Sequence, residues 1–419
     1  MAGLDRATVD RSLALSDGAP ILIALSGGGD STALLHLLAD QIGAVRLRAA
    51  IIDHALREGS AAEAGAAADA STALGVEPTI VTLVWPDRGA RAQQAARRAR
   101  YEALCREARR HRARVIALAH TRDDQAETVF LRAGAGSGWR GLAGMSALAP
   151  APLWPGGRGL VVARPLLKAR RAELRATLEA RGATWSEDPS NANPTFARVR
   201  ARRRLAELEA EGLEPVRLAA LAEALASHVL SLDQAATDLI ASAARFEGPA
   251  ARLDLALWRG PTEARRRALW ALIAAVSGED QESAPRALAD VEASLARPGF
   301  TGATLGGARL RPIRGGVSLE RDLGAVLGRA DGKAALARLS LSAGEQTIWD
   351  GRLALRAAEP GWSVAPDANG FPILANATQT LSPAEAEFAG IIQFRWLLAE
   401  RAIHVLGVFR AHRASVFTA

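Results

Sequence analysis

The sequence predicts an α/β protein: an N-terminal doubly wound, mostly parallel sheet, then a helical middle domain with a short hairpin, then a small α+β C-terminal domain. Three observations carry this. Strand-like runs at residues 21–25, 47–52, 79–85, 115–119 and 160–164 alternate with helix-like stretches at 32–42, 61–74, 90–111, 123–133 and 168–181. Such alternation implies right-handed crossovers and helices on both faces of the sheet. The first run breaks into three glycines and resumes as an apolar-faced helix, and beyond Gly212 the alternation stops. Residues 216–277 then read as helix rich in Ala and Leu, with 253–258 extended; 303–310 and 315–319 are short runs split by Gly and Pro, as in hairpins. The last third holds a strand-like 346–355, Pro- and Gly-rich turns at 359–372 and an amphipathic stretch at 383–403. The domains are accordingly 1–212, 213–325 and 337–419.

The break after the first strand reads Ser26-Gly27-Gly28-Gly29-Asp30-Ser31. Glycines let the backbone turn sharply and present its N–H groups to an anion, and the following helix aims its positive end at the same place. The Gly-Lys-Ser/Thr of the common nucleotide loop is absent. Ser-Gly-Gly-x-Asp-Ser after a first strand resembles instead the PP-loop of the ATP pyrophosphatases, which implies adenine nucleotide α-hydrolase-like architecture and cleavage of ATP between its α and β phosphates. A ligandless turn would have no use for the flanking Ser and Asp.

Two further constellations follow strand ends and converge on the loop in a parallel sheet. The first is Asp53-His54-Ala55-Leu56-Arg57, and the second runs from His120 through Thr128. Asp123 and Asp124 stand where a helix starts, and capping accounts for Asp123. Glu127, three residues after Asp124, shares its face, so two carboxylates lie side by side and call for a cation, Mg²⁺ or an amine substrate. His120 is either a satisfied core histidine or a phosphate contact, the second being favoured. Arg97 and Arg100, one helical turn apart, suit the charge that builds on a departing pyrophosphate.

The 419 residues carry a net charge of +7, with 49% hydrophobic and 23% charged residues, and Lys168 and Lys333 are the only lysines. The arginines cluster: Arg88, Arg91, Arg97, Arg98, Arg100, Arg106, Arg109, Arg110, Arg112 and Arg114 in one segment, and Arg198, Arg200, Arg202, Arg203 and Arg204 in another. Either cluster suits a polyanion or a solvated helix face. The N-terminus has no export-type apolar segment, and no uninterrupted apolar stretch reaches spanning length. Cys105 is the only cysteine, which excludes an internal disulfide. The expectation is a cytoplasmic protein with no membrane partner, its oligomeric state open, a homodimer included.

Together with Ala95-Ala96-Arg97-Arg98-Ala99-Arg100-Tyr101, Arg164-Pro165-Leu166-Leu167 and Asp188-Pro189-Ser190-Asn191, these motifs stand in the order seen in the tRNA(Ile)-lysidine synthetases, which the chain resembles over about residues 15–205. The resemblance implies ligation of free L-lysine to the wobble cytidine of the isoleucine tRNA with a CAU anticodon. ATP adenylates the C2 oxygen and releases pyrophosphate, and the lysine ε-amine then expels AMP. It further implies that Ser26, Gly27, Gly28, Gly29, Asp30 and Ser31 hold ATP, with Asp30 a Mg²⁺ contact. Asp53 and His54 would lie at the nucleotide edge, and His120 near the reacting phosphate. Asp124 and Glu127 would grip the lysine ammonium, and Arg97 or Arg100 would neutralise the pyrophosphate. Where many members have a second histidine this chain has Thr121, and where many have Arg-Asn it has Arg198-Val199. The last domain matches the family's C-terminal module by length, position and Trp349-Asp350-Gly351-Arg352, and contact with the tRNA acceptor stem follows from its place alone.

Rival readings are a tRNA thiolase, an amidotransferase and a non-catalytic ATP- or RNA-binding module. The first two need reactive cysteines, and Cys105 sits in no such context. The third predicts ATP binding without turnover.

Overall fold

The computed structural model describes residues 3–55, 59–85, 93–187, 194–212, 214–279, 285–295, 297, 299–328 and 334–407, the side chains of 93 and 94 excepted. Leu56, Arg57, Arg88, Arg91, residues 188–191 and Lys333, all used above, lie outside the described residues. The chain forms two compact units, Met1–Leu230 and Ser231–Ala419.

The first unit runs α1 (Arg6–Ser16), β1 (Ile21–Ala24), α2 (Gly29–Ile42), β2 (Leu47–Asp53), α3 (Ser60–Ala73), β3 (Glu77–Thr82), α4 (Gln93–Arg110), β4 (Val115–Ala117), α5 (Arg122–Gly134), α6 (Trp139–Leu142), β5 (Leu148–Pro150), β6 (Val161–Ala163), α7 (Arg171–Ala180) and α8 (Ala197–Ala210). Its sheet has the order β3-β2-β1-β4-β6-β5, parallel throughout except β5, which pairs antiparallel with β6. Every residue of β1, β4 and β6 is buried, the condition of a parallel strand covered on both faces, which is why these strands read as unbroken apolar runs. β5, three residues ending in Pro150 on the sheet edge, has no such run and escapes sequence reading. Connections leave β1 toward β2 and return to β4 on its other side, so the crevice beyond the carboxyl ends of β1 and β4 is the topological switch point where open α/β sheets bind ligands.

Helix α9 (Pro215–Ala243) carries the chain from one unit into the next. By length and composition it is apolar enough to cross a membrane, its best 18-residue window having a mean hydropathy of 1.2. Arg217, Glu223, Asp233 and Asp238 punctuate it, so its longest uncharged run is 224–232. Asp233 is buried and takes a hydrogen bond from Arg267 Nε at 2.8 Å.

In the second unit β7 (Ala244–Glu247), β8 (Ala250–Asp254), α10 (Thr262–Ser277), α11 (Pro285–Leu295), β9 (Ala303–Leu305), β10 (Ala308–Ile313) and β11 (Gly316–Arg321) come first. The expected hairpin is β10–β11, within a five-stranded sheet of order β7-β8-β11-β10-β9. After α12 (Leu323–Leu327) follow β12 (Leu339–Ser340), β13 (Gln346–Trp349), β14 (Leu353–Ala357), β15 (Ser363–Pro366), β16 (Pro372–Ala375), β17 (Thr380–Leu381), α13 (Pro383–Phe388), β18 (Ile392–Trp396) and α14 (Leu398–Leu406). The strand-like 346–355 is a hairpin with a three-residue connection, 350–352, between the paired Trp349 and Leu353: Asp350 and Gly351 have positive φ, 53° and 65°, at the centre of a turn closed by Arg352 N donating to Trp349 O at 3.0 Å. The amphipathic stretch 383–403 divides into α13, β18 and α14 because Gly390 leaves α13 at φ 72°. Leu398, Ala402 and Leu406 of α14 join Leu269, Leu272 and Val276 of α10 in one core, so the segments 213–325 and 337–419 are not separate in their packing.

Candidate active site

The glycine loop is held from both sides. Gly27 sits at φ +80°, and a Cβ there would lie 3.3 Å from the Ala67 Cβ, so glycine is required on two counts. Ser186 N donates to Gly27 O at 2.9 Å, and Trp185 packs against Gly29, where a Cβ would meet its ring at 3.4 Å. Ser31 Oγ donates to Gly28 O at 2.9 Å and accepts from Ser26 N at 3.1 Å, bracing the turn across its mouth. Ser26, Gly28, Gly29, Asp30 and Ser31 form one wall of a cavity of about 490 Å³ whose other walls include Arg100, His120, Asp124, Arg171, Arg198 and Arg202. The convergence of the β1 and β4 ends is therefore real, and the cavity is of the size small-molecule sites have.

Helix α5 shows what Thr121 and the first of the acidic pair do. Thr121 is its N-cap: Asp124 Oδ2 accepts from Thr121 N at 2.8 Å and Oγ1 at 2.9 Å, a capping box. Asp123 Oδ2 accepts from Arg171 N at 2.8 Å, so it caps α7 rather than its own helix. The cation demanded by the carboxylates comes from the chain itself. Arg171 Nε donates to Asp30 Oδ2 and its Nη2 to Asp124 Oδ1, both at 3.0 Å, with Nη1 3.7 Å from Glu127 Oε1. Arg202 Nε adds a 2.8 Å bond to the same Glu127 oxygen. Sequence reasoning missed Arg171 because nothing in its local sequence marks it; the only signal was its place one turn past the Arg164-Pro165-Leu166-Leu167 motif.

Burial raises the Asp30 pKa, and the charges of Asp124 and Asp123 add to that against the opposing pull of Arg171. For Asp124 burial acts the same way, but Arg171, Thr121 and His120 outweigh it and the pKa falls. Asp30 Oδ1 and Glu127 Oε2 are buried and accept no hydrogen bond among the described residues, an expensive condition that an additional donor or metal ion would relieve. Burial, aided by Arg164, pushes His120 down to about 3. At neutral pH it is an uncharged imidazole, a hydrogen-bonding group and not a cation on phosphate. NMR should show its Cε1–H shift unchanged from pH 8 to pH 5; a midpoint near 6.5 would refute the assignment.

Arg100 lines the cavity, its pKa lowered by burial and by the neighbouring charges of Arg97 and Arg198. Among the described residues no carboxylate bonds to Arg100 or Arg198, which leaves these guanidiniums poised for an anion. Arg97 is exposed, its guanidinium 5.2 Å from the Tyr101 ring centre, outside the cavity lining. Asp53 and His54 also stand outside that lining. Asp53 Oδ1 accepts from Ala55 N at 2.8 Å, fastening a turn in which Ala55 has φ 49°, and Trp85 Nε1 donates to His54 O at 2.7 Å. Burial, with Arg100 nearby, lowers the His54 pKa. Much of the first arginine cluster is structural: Arg98 pairs with Glu102, Arg110 with Glu107 and Arg114 with Asp17, while Arg109 donates to Gly156 O and Arg158 O.

A glycine loop at the β1/β4 switch point, walled by arginines and carboxylates, defines a nucleotide-using enzyme of the PP-loop type, and the PP-loop domain model matches residues 5–209. The chain is 38% identical to the tRNA(Ile)-lysidine synthase of Hyphomonas neptunium, over 73% of this chain and 82% of that protein. To that of Ruegeria pomeroyi it is 37% identical, over 80% and 76%. Among solved structures it is similar to a U34-tRNA thiolase of Methanococcus maripaludis with its [4Fe-4S] cluster, 17% identical, covering 54% of this chain and 81% of that one, with a TM-score of 0.42. The chain belongs to the tRNA(Ile)-lysidine synthase family.

Proposed function

We propose that this protein is an ATP-dependent ligase that joins L-lysine to C2 of the wobble cytidine in the CAU-anticodon isoleucine tRNA, releasing AMP and pyrophosphate. Family membership supplies the reaction, and one observation supports its placement: the glycine loop, Arg100, Arg198 and the Arg171-bound carboxylates of Asp30 and Asp124 share one cavity of about 490 Å³, with the buried Glu127 outside its lining. Backbone N–H groups of residues 26–31 would cradle the phosphates. The cytidine C2 oxygen attacks the α-phosphorus, the bond to the β-phosphate oxygen breaks, and Arg100 with Arg198 receives the charge of the departing pyrophosphate. The lysine ε-amine, having lost its proton, then attacks C2; the C2–O bond breaks and AMP leaves with its electron pair. Neutral His120 would hydrogen-bond the phosphoryl oxygens through the reaction.

Among the described residues no three His, Cys, Asp or Glu side chains gather as a metal centre. Asp30, with its buried unpartnered Oδ1, fits a Mg²⁺ ion held mainly by ATP phosphates and water, a common arrangement for this ion. Bound there, Mg²⁺ would supply charge neutralisation on the phosphates. Sulfur transfer has no support in the thiol inventory, since Cys105 is buried in the core behind the sheet and burial raises its pKa to about 11.

Nucleoside mass spectrometry of the isoleucine tRNA after incubation with protein, ATP and isotopically labelled lysine tests the proposal. A labelled lysyl-cytidine is expected; label confined to free lysine would refute it. The exposed arginines of α8 and the second unit lead us to expect tRNA affinity to fall on the order of 10²-fold between 50 and 200 mM salt. A flat log–log plot of affinity against salt would show that phosphate contacts contribute little.

A further inference from the structure

Two guanidiniums, Arg171 and Arg202, line the cavity and bind the same Glu127 oxygen, and the carboxylate they share is only 2% exposed. They are held very differently. Arg171 is fastened by Asp30, Asp124 and Glu127 from two helices, and its backbone N–H by Asp123. Arg202, with a side chain 41% exposed, makes one bond among the described residues, Nε to Glu127 at 2.8 Å. A half-exposed arginine on a single contact gains little from holding its place. Glu127, by contrast, is buried, and without Arg202 it keeps one cation, Arg171, whose Nη1 stands 3.7 Å away and whose guanidinium is already shared with Asp30 and Asp124. An alkylammonium in the place of Arg202 Nε restores the close contact and the charge balance.

We propose that Arg202 is a stand-in cation at the berth of the substrate amine, competing with lysine for Glu127, and that tRNA phosphate bound along α8 draws it away. The proposal rests on the ligase reading above. Arg202 stands on the helix of the second basic cluster, where Arg203 and Arg204 are exposed beside it and Arg198 opens onto the cavity, so a polyanion following α8 offers the guanidinium a new partner. Lysine then binds tightly only to the tRNA-loaded protein, and free lysine does not fill the site beforehand. Linkage makes the effect reciprocal, so lysine tightens tRNA binding by the same factor.

The test is equilibrium dialysis of radiolabelled L-lysine against the full-length protein without ATP, with and without saturating isoleucine tRNA. Without tRNA, Arg202→Gln and Arg202→Ala are expected to bind lysine about tenfold more tightly than wild type, a coupling of ordinary size; with tRNA the wild type gains the same factor and the three converge. Lysine binding by both variants that is no tighter than wild type, undetectable binding by all three included, overturns the proposal. Incorporation of labelled lysine into tRNA by the wild type is scored separately. If it occurs while the variants bind lysine as wild type does, the stand-in role fails and the ligase reading survives; if it does not occur, the ligase reading itself fails.

Discussion

Asp124→Asn is expected to raise the apparent KM for lysine about 10- to 100-fold, the loss of one charge-assisted contact in a dry site, while the KM for ATP moves less than about threefold. The asymmetry follows from the two jobs of this side chain. Oδ2 closes the capping box with Thr121, and Oδ1 meets Arg171. Asparagine keeps one oxygen for the Thr121 N–H, so α5 retains its cap, whereas the negative charge and the contact facing the cavity are lost. Steady-state rates at saturating tRNA and ATP with varied lysine provide the measurement. Lysine dependence equal to that of wild type would show that Asp124 is only a cap.

Arg100→Ala is expected to lower the rate of pyrophosphate release 10²- to 10³-fold, on the scale of deleting one preorganised group facing transition-state charge. Arg100 is partly buried, with Arg97 and Arg198 as its charged neighbours and no carboxylate partner among the described residues. The electrostatic strain of assembling like charges is thus met in folding and relieved when an anion forms beside them. Because Arg97 lies outside the cavity lining against Tyr101, Arg97→Ala should lower the same rate less than about tenfold. Single-turnover release from γ-labelled ATP with the isoleucine tRNA separates the two, and equal effects would mean that both guanidiniums reach the leaving group.

Much of this site was legible in the chain. Four-residue β1 with its glycine loop, and Asp124 and Glu127 at a spacing of three on α5, are local patterns whose physics operates within a few residues. Nothing local shows that Asp123 reaches across 48 positions to cap α7, whereas the Thr121–Asp124 capping box spans only four residues. Arg171 lies 141 positions from Asp30 and 47 from Asp124, and among so many arginines composition cannot single it out. The acidic pair was recognised as needing a cation; which cation meets it depended on how α7 and α8 pack beside α5.

The alternation of strands and helices from β1 to α5, the glycine turn after β1 and the carboxylate face of α5 were determined by sequence alone, since hydrophobic period, glycine conformation and helical spacing are properties of short segments. The pairing of Arg171 and Arg202 with those carboxylates, the exclusion of Arg97 from the cavity lining and the shared core of α10 and α14 were decided only by tertiary structure. Charges and apolar faces choose partners by distance in space, and that distance exists only once crossovers have brought remote parts of the chain together.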